Sequence, residues 1–597
     1  MSKIKNSAQS FDTVLVLGGA GLVGFQVCRQ IADELHPQKI VVASLFRGDA
    51  RDAAGRLERE FSSTQFIAEW GNIFVPTEIA NVKPWEIGNS PKHRKAVLDA
   101  TYGDFATAYE GNFLVQLIKR HRPDAVIDCV NTATGISYQN VAQGALKVMD
   151  QMDTVIEQMK EAAQGSEDDE PKAKGLVQDV EMLLMSLSMP QLTRHVAFVH
   201  TATREVGTRF LIKVGTMGTG GMGLNIPYTH GEAKPSQVLM SKNAVALGQT
   251  GLLLLMARTP GGPIVKEVKP AAMIGYKAVE RKTPARGGKE FHEFEPQEQV
   301  VAPGDTVLET RCAEDAFVDL GKMHTTVVCT GENGDFARDE FAAITAPGQM
   351  EMITAEEVAH AVVLELRGSN SGHDVIAALD GAIQGPTYRG GSVRQMALQD
   401  LAQMEAKVKD HSVALGILGP PELTKLLFEA RLICHTFGFS IDAILKAKDG
   451  EDKKNPERNR TAQEVVDGII DYIKTDDGRA LVRMATSIGV PVLMPDGTTI
   501  QRGPKINIPE QKGHTTAFGM ADVQTRDSWV KKGWVDLREQ NMQSWMERFE
   551  KMKRGRIQVY AQGSAAMTPQ TFSTTENFEI GDIVAWIFNN NDEGRIK

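Results

Sequence analysis

The chain has 597 residues, 42 % of them apolar and 24 % charged, with a net charge of −10 at pH 7. This length suits several domains of about 100–200 residues, with cores large enough to need no disulfide or metal staple. The acidic balance excludes general affinity for nucleic acid, and the longest apolar run, around 251–257, is far short of the roughly 20 residues of a membrane helix.

Residues 13–24 read TVLVLGGAGLVG, a β-branched run leading into glycines at 18, 21 and 24. FQVCRQIADEL continues as an amphipathic helix. Strand, tight turn and helix in this order aim helix N–H groups at a phosphate, and Gly18, Gly21 and Gly24 let the backbone approach it. The next strand, KIVVASLF over 39–46, ends about 20 residues further on, where a carboxylate would select NAD. Ser44 stands there instead, followed by Arg47 and Arg51. A hydroxyl and a guanidinium hold a 2′-phosphate that a carboxylate would repel, so NADP(H) is favoured over NAD(H). A third strand, TQFIAEWGNIF, ends in Gly71-Asn72-Ile73, and the amphipathic FLVQLIKRHR prepares a fourth, PDAVIDCVNTAT. The order reads β-α-β-β-α-β, the pattern of a parallel sheet with right-handed crossovers.

GGAGLVG, WGNIF and RPDAVIDCVNTAT together resemble the extended short-chain dehydrogenase/reductase group, the NAD(P)-dependent epimerase/dehydratase superfamily. The resemblance implies cofactor-binding roles for Gly18, Gly21 and Gly24. It implies an adenine contact at Asn72 and Ile73, and a cofactor-lining segment at Asn131, Thr132 and Ala133.

Beyond the fourth strand, residues 139–190 hold two Met-rich helical patterns around GSEDDEPKAKG and read as a helical insertion with an exposed acidic tip. The methionines read as packing and the acidic run as a solvated loop, with no metal site. The helix LTRHVAFVHTATREVG, 192–207, leads to the strand TRFLIKVGT, 208–216. His195 and His200 lie five apart, which suits packing rather than a shared metal face. VLMSKNAVALGQTGLLLLMART reads as a helix, and PIVKEVKPAAMIGYK as a strand whose Lys269-Pro270 resembles the family's sixth strand beside the nicotinamide ribose. Residues 277–305 read as a polar excursion on the substrate side. MEMITAEEVAHAVVLEL resembles the family's late helix, and its Glu357 and His360 read as a surface pair.

Reductases of the superfamily use a tyrosine to move the proton, a lysine four residues later to lower its pKa and hold the ribose, and a serine or threonine on the substrate oxygen. EAKPSQVLMSK resembles that run, with Ser241 and Lys242 in place and Val238 at the tyrosine position. Thr216 fits the threonine role. Tyr228 lies ten residues before Val238. Three readings fit: Tyr228 replaces the missing phenol, His230 or Glu232 acts as the acid, or the site binds NADP(H) without turnover. The glycines at 218–223 match GxGxxG, but LNIPY follows where a helix would have to start, so this is a substrate-side loop rather than a second dinucleotide site.

The whole reads as an α/β chain. It has a Rossmann-type doubly wound parallel sheet over 1–290, a small substrate lobe returning to it over 291–407, and a mainly helical extension over 408–597. Three roles fit the extension: covering the active site, making a homo-oligomer contact, or binding a partner. The expected partner is a small-molecule substrate, with no nucleic acid and no membrane. Five widely spaced cysteines without a CxxC pair, and an N-terminus MSKIKNSAQSFD without an apolar core, predict free thiols and a cytoplasmic setting.

Overall fold

The structure, a computed structural model, describes residues 10–132, 141, 144–152, 170–215, 237–269, 273–286, 289–302, 304, 307–330, 334–346, 353–368, 388–417, 420–447, 458–509, 517–519, 522–568 and 571–590. Six short apolar runs form its main sheet: β1 (Thr13–Leu17), β2 (Lys39–Ser44), β3 (Gln65–Trp70), β4 (Ala125–Asp128), β5 (Phe210–Val214) and β6 (Ile264–Val268). Their order is β3-β2-β1-β4-β5-β6, and every neighbouring pair is parallel. This is the doubly wound Rossmann order, with the switch point between β1 and β4.

Helices α1 (Leu22–Leu35), α2 (Arg47–Glu60), α3 (Phe113–His121), α4 (Ser188–Val206) and α5 (Gln237–Ala257) belong to the same unit. In place of two consecutive strands, α2 separates β2 from β3. Its ARDAAGRLERE run is rich in alanine and long straight side chains, which favour helix. Because both faces of the sheet are covered, its strands are mostly apolar rather than alternating, with single charged residues set into β3, β4 and β5 and two into β6. One face packs α1, α2 and the helix Ala355–Leu366 against Val14, Val16, Ile40 and Val42. The other packs α3, α4 and α5 against Leu15, Leu17, Val126 and Leu211. Of the insertion, 144–152 and Glu170–Ser186 are helical, and its acidic tip before Glu170 lies outside the described residues.

The chain divides into two compact units, each discontinuous. The described residues of the first lie within Met1–Gly220, Pro235–Gly275 and Met352–Thr387; those of the second lie within Tyr276–Glu351 and Tyr388–Lys597. The sequence boundaries at 290 and 407 differ from these breaks. Met273–Ile274 pairs in parallel with Ile353–Thr354, so the points where the chain leaves and re-enters the first unit lie side by side.

In the second unit the polar stretch after 277 forms antiparallel strands instead of an excursion. Gln297–Val300 pairs with Thr499–Arg502, in a four-stranded sheet completed by Val492–Leu493 and Val535–Asp536. Val301, Leu308, Ile500, Trp529 and Trp534 close a core against it. The apolar IGDIVAWIF forms the helix Ile580–Asn590, buried along most of its length and packed on Arg338–Ile344 and Pro421–Phe437. All five cysteines are free, with Cys28, Cys329 and Cys434 buried. Among the described residues no helix is long and apolar enough to cross a membrane.

Candidate cofactor and active site

The turn after β1 sits at the switch point. Gly18 takes φ +73°, a left-handed conformation that favours glycine, and a Cβ there would stand 3.1 Å from the Cys129 carbonyl carbon at the end of β4. Gly21 N–H donates to the Gly18 carbonyl at 2.9 Å, and Gly19 N–H to the Ala43 carbonyl at the end of β2, also at 2.9 Å. A Cβ on Gly24 would run into the Gly18 carbonyl and come within 2.9 Å of Gly19 Cα. Gly24 therefore lets α1 start directly against the turn. Gly21 is the helix N-cap and supplies no side-chain cap, so the first-turn N–H groups keep their capacity to bind an anion. These residues fit the pyrophosphate of a dinucleotide.

On the far side of β1, Ser44 ends β2 beside Trp70, its register partner at the end of β3. The guanidiniums of Arg47 and Arg51 lie over the Trp70 ring, 5.1 and 5.4 Å from its centroid. Gly71 N–H donates to the Ser44 carbonyl at 3.0 Å. That bond fixes the turn carrying Asn72, whose Oδ1 accepts the Phe74 N–H at 3.0 Å. Ile73 is buried in the adjoining core. Ser44, Arg47, Asn72 and Ile73 are thus gathered at neighbouring strand ends.

After β4, the segment Asn131–Thr132 is held from below. Asp128 Oδ1 accepts the Val130 N–H at 2.9 Å, while Lys213 of β5 donates to the Val130 carbonyl. Lys213 Nζ also pairs with Asp128 Oδ2 at 2.9 Å, both side chains being under 10 % exposed. The ion pair thereby clamps both polar atoms of one peptide segment. Gln249 of α5 donates to Thr132 Oγ1 at 3.1 Å. Lys242 is buried on the same helix two turns earlier, on the face that also holds Val245 and Gln249. Val238 lies in α5 one turn before Lys242.

Further charged groups sit beneath the ends of β5 and β6. Lys269 Nζ donates to Thr250 Oγ1 at 2.6 Å and lies 3.4 Å from Glu267 Oε1. Glu267 is buried, and a Cβ on Gly215 would collide with its carboxylate. His195 packs on Phe74, centroid to centroid 4.8 Å. Burial pushes His195 down to about 4, helped by Lys213 and opposed by Asp128, so it is neutral at pH 7. Sequence reasoning missed Asp128, Lys213, Glu267 and Gln249. For Asp128, Lys213 and Glu267 a signal was present: a charged residue inside an apolar strand of a doubly covered sheet needs a buried partner.

Thr216, Tyr228, Ala133 and Pro270 lie outside the described residues. Glu357 serves as the N3 residue of a capping box with Thr354, and His360 Nδ1 lies 3.2 Å from Gln30 Nε2.

A family model described as the beta-methylindole-3-pyruvate reductase C-terminal domain matches residues 293–592, half of the chain. No curated protein matches. Among solved structures, the chain aligns with a short-chain dehydrogenase from Sphingobium yanoikuyae in complex with NADPH. That pair is 14 % identical, covering 62 % of this chain and 92 % of the other, with a TM-score of 0.28. It also aligns with the Bordetella bronchiseptica enzyme WbmH in complex with NAD+, at 11 % identity over 62 % and 78 % of the two chains and a TM-score of 0.27. Likenesses of this size leave the fold to rest on the strand order itself.

Proposed function

Because the chain belongs to the family described as the beta-methylindole-3-pyruvate reductase C-terminal domain, we propose that it is an NADP(H)-dependent oxidoreductase of the short-chain dehydrogenase/epimerase type, acting on a carbonyl/alcohol centre. The glycine cradle at the switch point, where a Cβ on Gly24 has no room against the Gly18 carbonyl, carries this reading. A β-methylindole-3-pyruvate is an aromatic 2-oxo acid, so a 2-oxo acid carbonyl is the substrate class to test first.

In this reading the N–H groups after Gly18, Gly21 and Gly24 hold the pyrophosphate. Ser44 and Arg47, with Arg51, hold the 2′-phosphate, and Asn72 and Ile73 border the adenine. Asn131, Thr132, Ala133 and Pro270 line the nicotinamide end. The bound nicotinamide supplies hydride chemistry at the carbonyl carbon. Lys242 binds the ribose and favours the ionised form of the Tyr228 phenol, Tyr228 delivers the proton to the carbonyl oxygen, and Thr216 donates a hydrogen bond to that oxygen.

Val238, in α5 one turn before Lys242, favours a second reading, an inactive NADP(H)-binding sensor or scaffold. The two separate in one assay. Purified protein is mixed with NADPH and a panel of 2-oxo acids and other carbonyls, and the reduced-nicotinamide absorbance is followed. The enzyme reading expects turnover that falls about a hundredfold or more in Tyr228→Phe and Lys242→Met, with NADPH still bound by Tyr228→Phe. NADPH binding with no oxidation across the panel, unchanged by Tyr228→Phe, establishes the sensor instead.

A further inference from the structure

The second unit holds a charged cleft of about 640 Å³, within the roughly 300–1,000 Å³ of small-molecule sites. It lies between the helices Pro421–Phe437 and Glu539–Gln562 and the segment that joins Val535–Asp536 to the second of them. Of its lining acids, Asp527 and Asp536 are neutralised within the wall, and Glu422 attracts Arg548 through space. Arg538 binds both Asp536 oxygens at 2.9 Å and Asp527 at 2.9 Å. Glu429, behind the cleft, accepts the Asp536 N–H and the Trp545 indole N–H, each at 2.8 Å.

The bases are not matched in the same way. Lys425 is 5 % exposed, and its ion pair with Glu429 is long, at 3.6 Å. Arg548 lies over the Trp545 ring, 5.2 Å from its centroid. Glu429 and Glu422 attract it through space, yet among the described residues no carboxylate reaches ion-pair distance of its guanidinium. Burial pulls Arg548 below its ordinary value, but a guanidinium stays charged in proteins. Arg548 is partly exposed, so a partly desolvated guanidinium with no ion pair keeps its capacity to bind an anion from the cleft. Lys531 adds a solvent-facing positive charge at the same cleft.

We propose that this cleft binds a small metabolite through an oxyanion, phosphate or carboxylate, with Arg548 as the anchor and Lys425 and Lys531 beside it. The site is built entirely from the second unit and is read without NADPH. The test is isothermal titration calorimetry on the full chain, with pyrophosphate and citrate as probes at constant ionic strength. The expected result is saturable one-to-one binding of at least one probe, and the tighter probe identifies the oxyanion. Arg548→Gln is expected to weaken it about tenfold or more and Lys531→Gln about threefold, with ligand-free Tm unchanged in both. Absence of saturable binding by both probes into the tens of millimolar overturns the proposal, as does wild-type affinity in both variants. Should Arg548→Gln fail to fold, unchanged affinity in Lys531→Gln overturns it alone.

Discussion

His195 shows how one buried side chain sets a pH limit. Its folded value is about 4, against an ordinary value near 6.5. A base held neutral by burial contributes stability that is present above pH 6.5 and lost as pH falls toward 4. At pH 5 the loss is about 2 kcal/mol. Urea denaturation at pH 7 and pH 5 measures it, and His195→Phe is expected to flatten that part of the profile. Arg47 and Arg51 are the opposite case, exposed cations whose value lies in a ligand. Replacing both by alanine is expected to weaken NADPH about tenfold to a hundredfold while leaving NADH unchanged, read by nicotinamide fluorescence titration. An equal loss for both cofactors would count against the 2′-phosphate role. These arginines were legible because they follow a strand end at a fixed offset from the glycines. For Asp128 and Lys213 the need for a buried partner was legible, but not that they pair with each other, because pairing across neighbouring strands depends on register, which a single sequence does not display.

At the scale of elements, the β1–α1 junction was the most readable part of the chain. The glycine positions state where the backbone turns and where it is crowded. Gly24→Ala is expected to lower Tm by about 5 °C, for about 2 kcal/mol, and to weaken NADPH at least tenfold. Gly48→Ala in α2 is the control, since nothing lies within 4 Å of where its Cβ would go. Helix α2 escaped the reading because its pattern is mostly polar and alanine, with little apolar periodicity to mark it. The short strands of the second unit escaped for a related reason. Several are two to four residues long and pair with segments some 200 positions away, so no local period announces them. The run from 215 to 242, whose glycines at 218–223 match GxGxxG, contributes Lys242 to the buried face of α5. In the proposed reading the dinucleotide cradle is Gly18–Gly24.

For the whole molecule, the discontinuity of the units matters more than their number. The sheet face carrying Val14 and Val16 is completed by Val358, Val362 and Leu366, which the chain supplies only after it has built Tyr276–Glu351 of the second unit. Residues 1–275 alone are therefore expected to bind a hydrophobic dye such as ANS and to aggregate. A fused chain joining 1–275 to 352–387 through a short linker is expected to bury that face and bind less dye. The adjacency of Met273–Ile274 and Ile353–Thr354 is what makes a short linker sufficient. A continuous-domain reading of sequence cannot see this, since both halves of each unit look locally like separate segments.

That same two-residue pairing has a consequence for synthesis. A nascent chain emerges N-terminus first, so α1 leaves the ribosome long before the helix Ala355–Leu366 that packs on it. For the time needed to translate roughly 80 residues, several seconds at typical elongation rates, the early sheet is present with one flank bare. Segment 276–351 is then drawn into a closed loop when its ends dock side by side. Translation pauses or chaperone capture in that interval would act on the first unit, although the codons being read belong to the second.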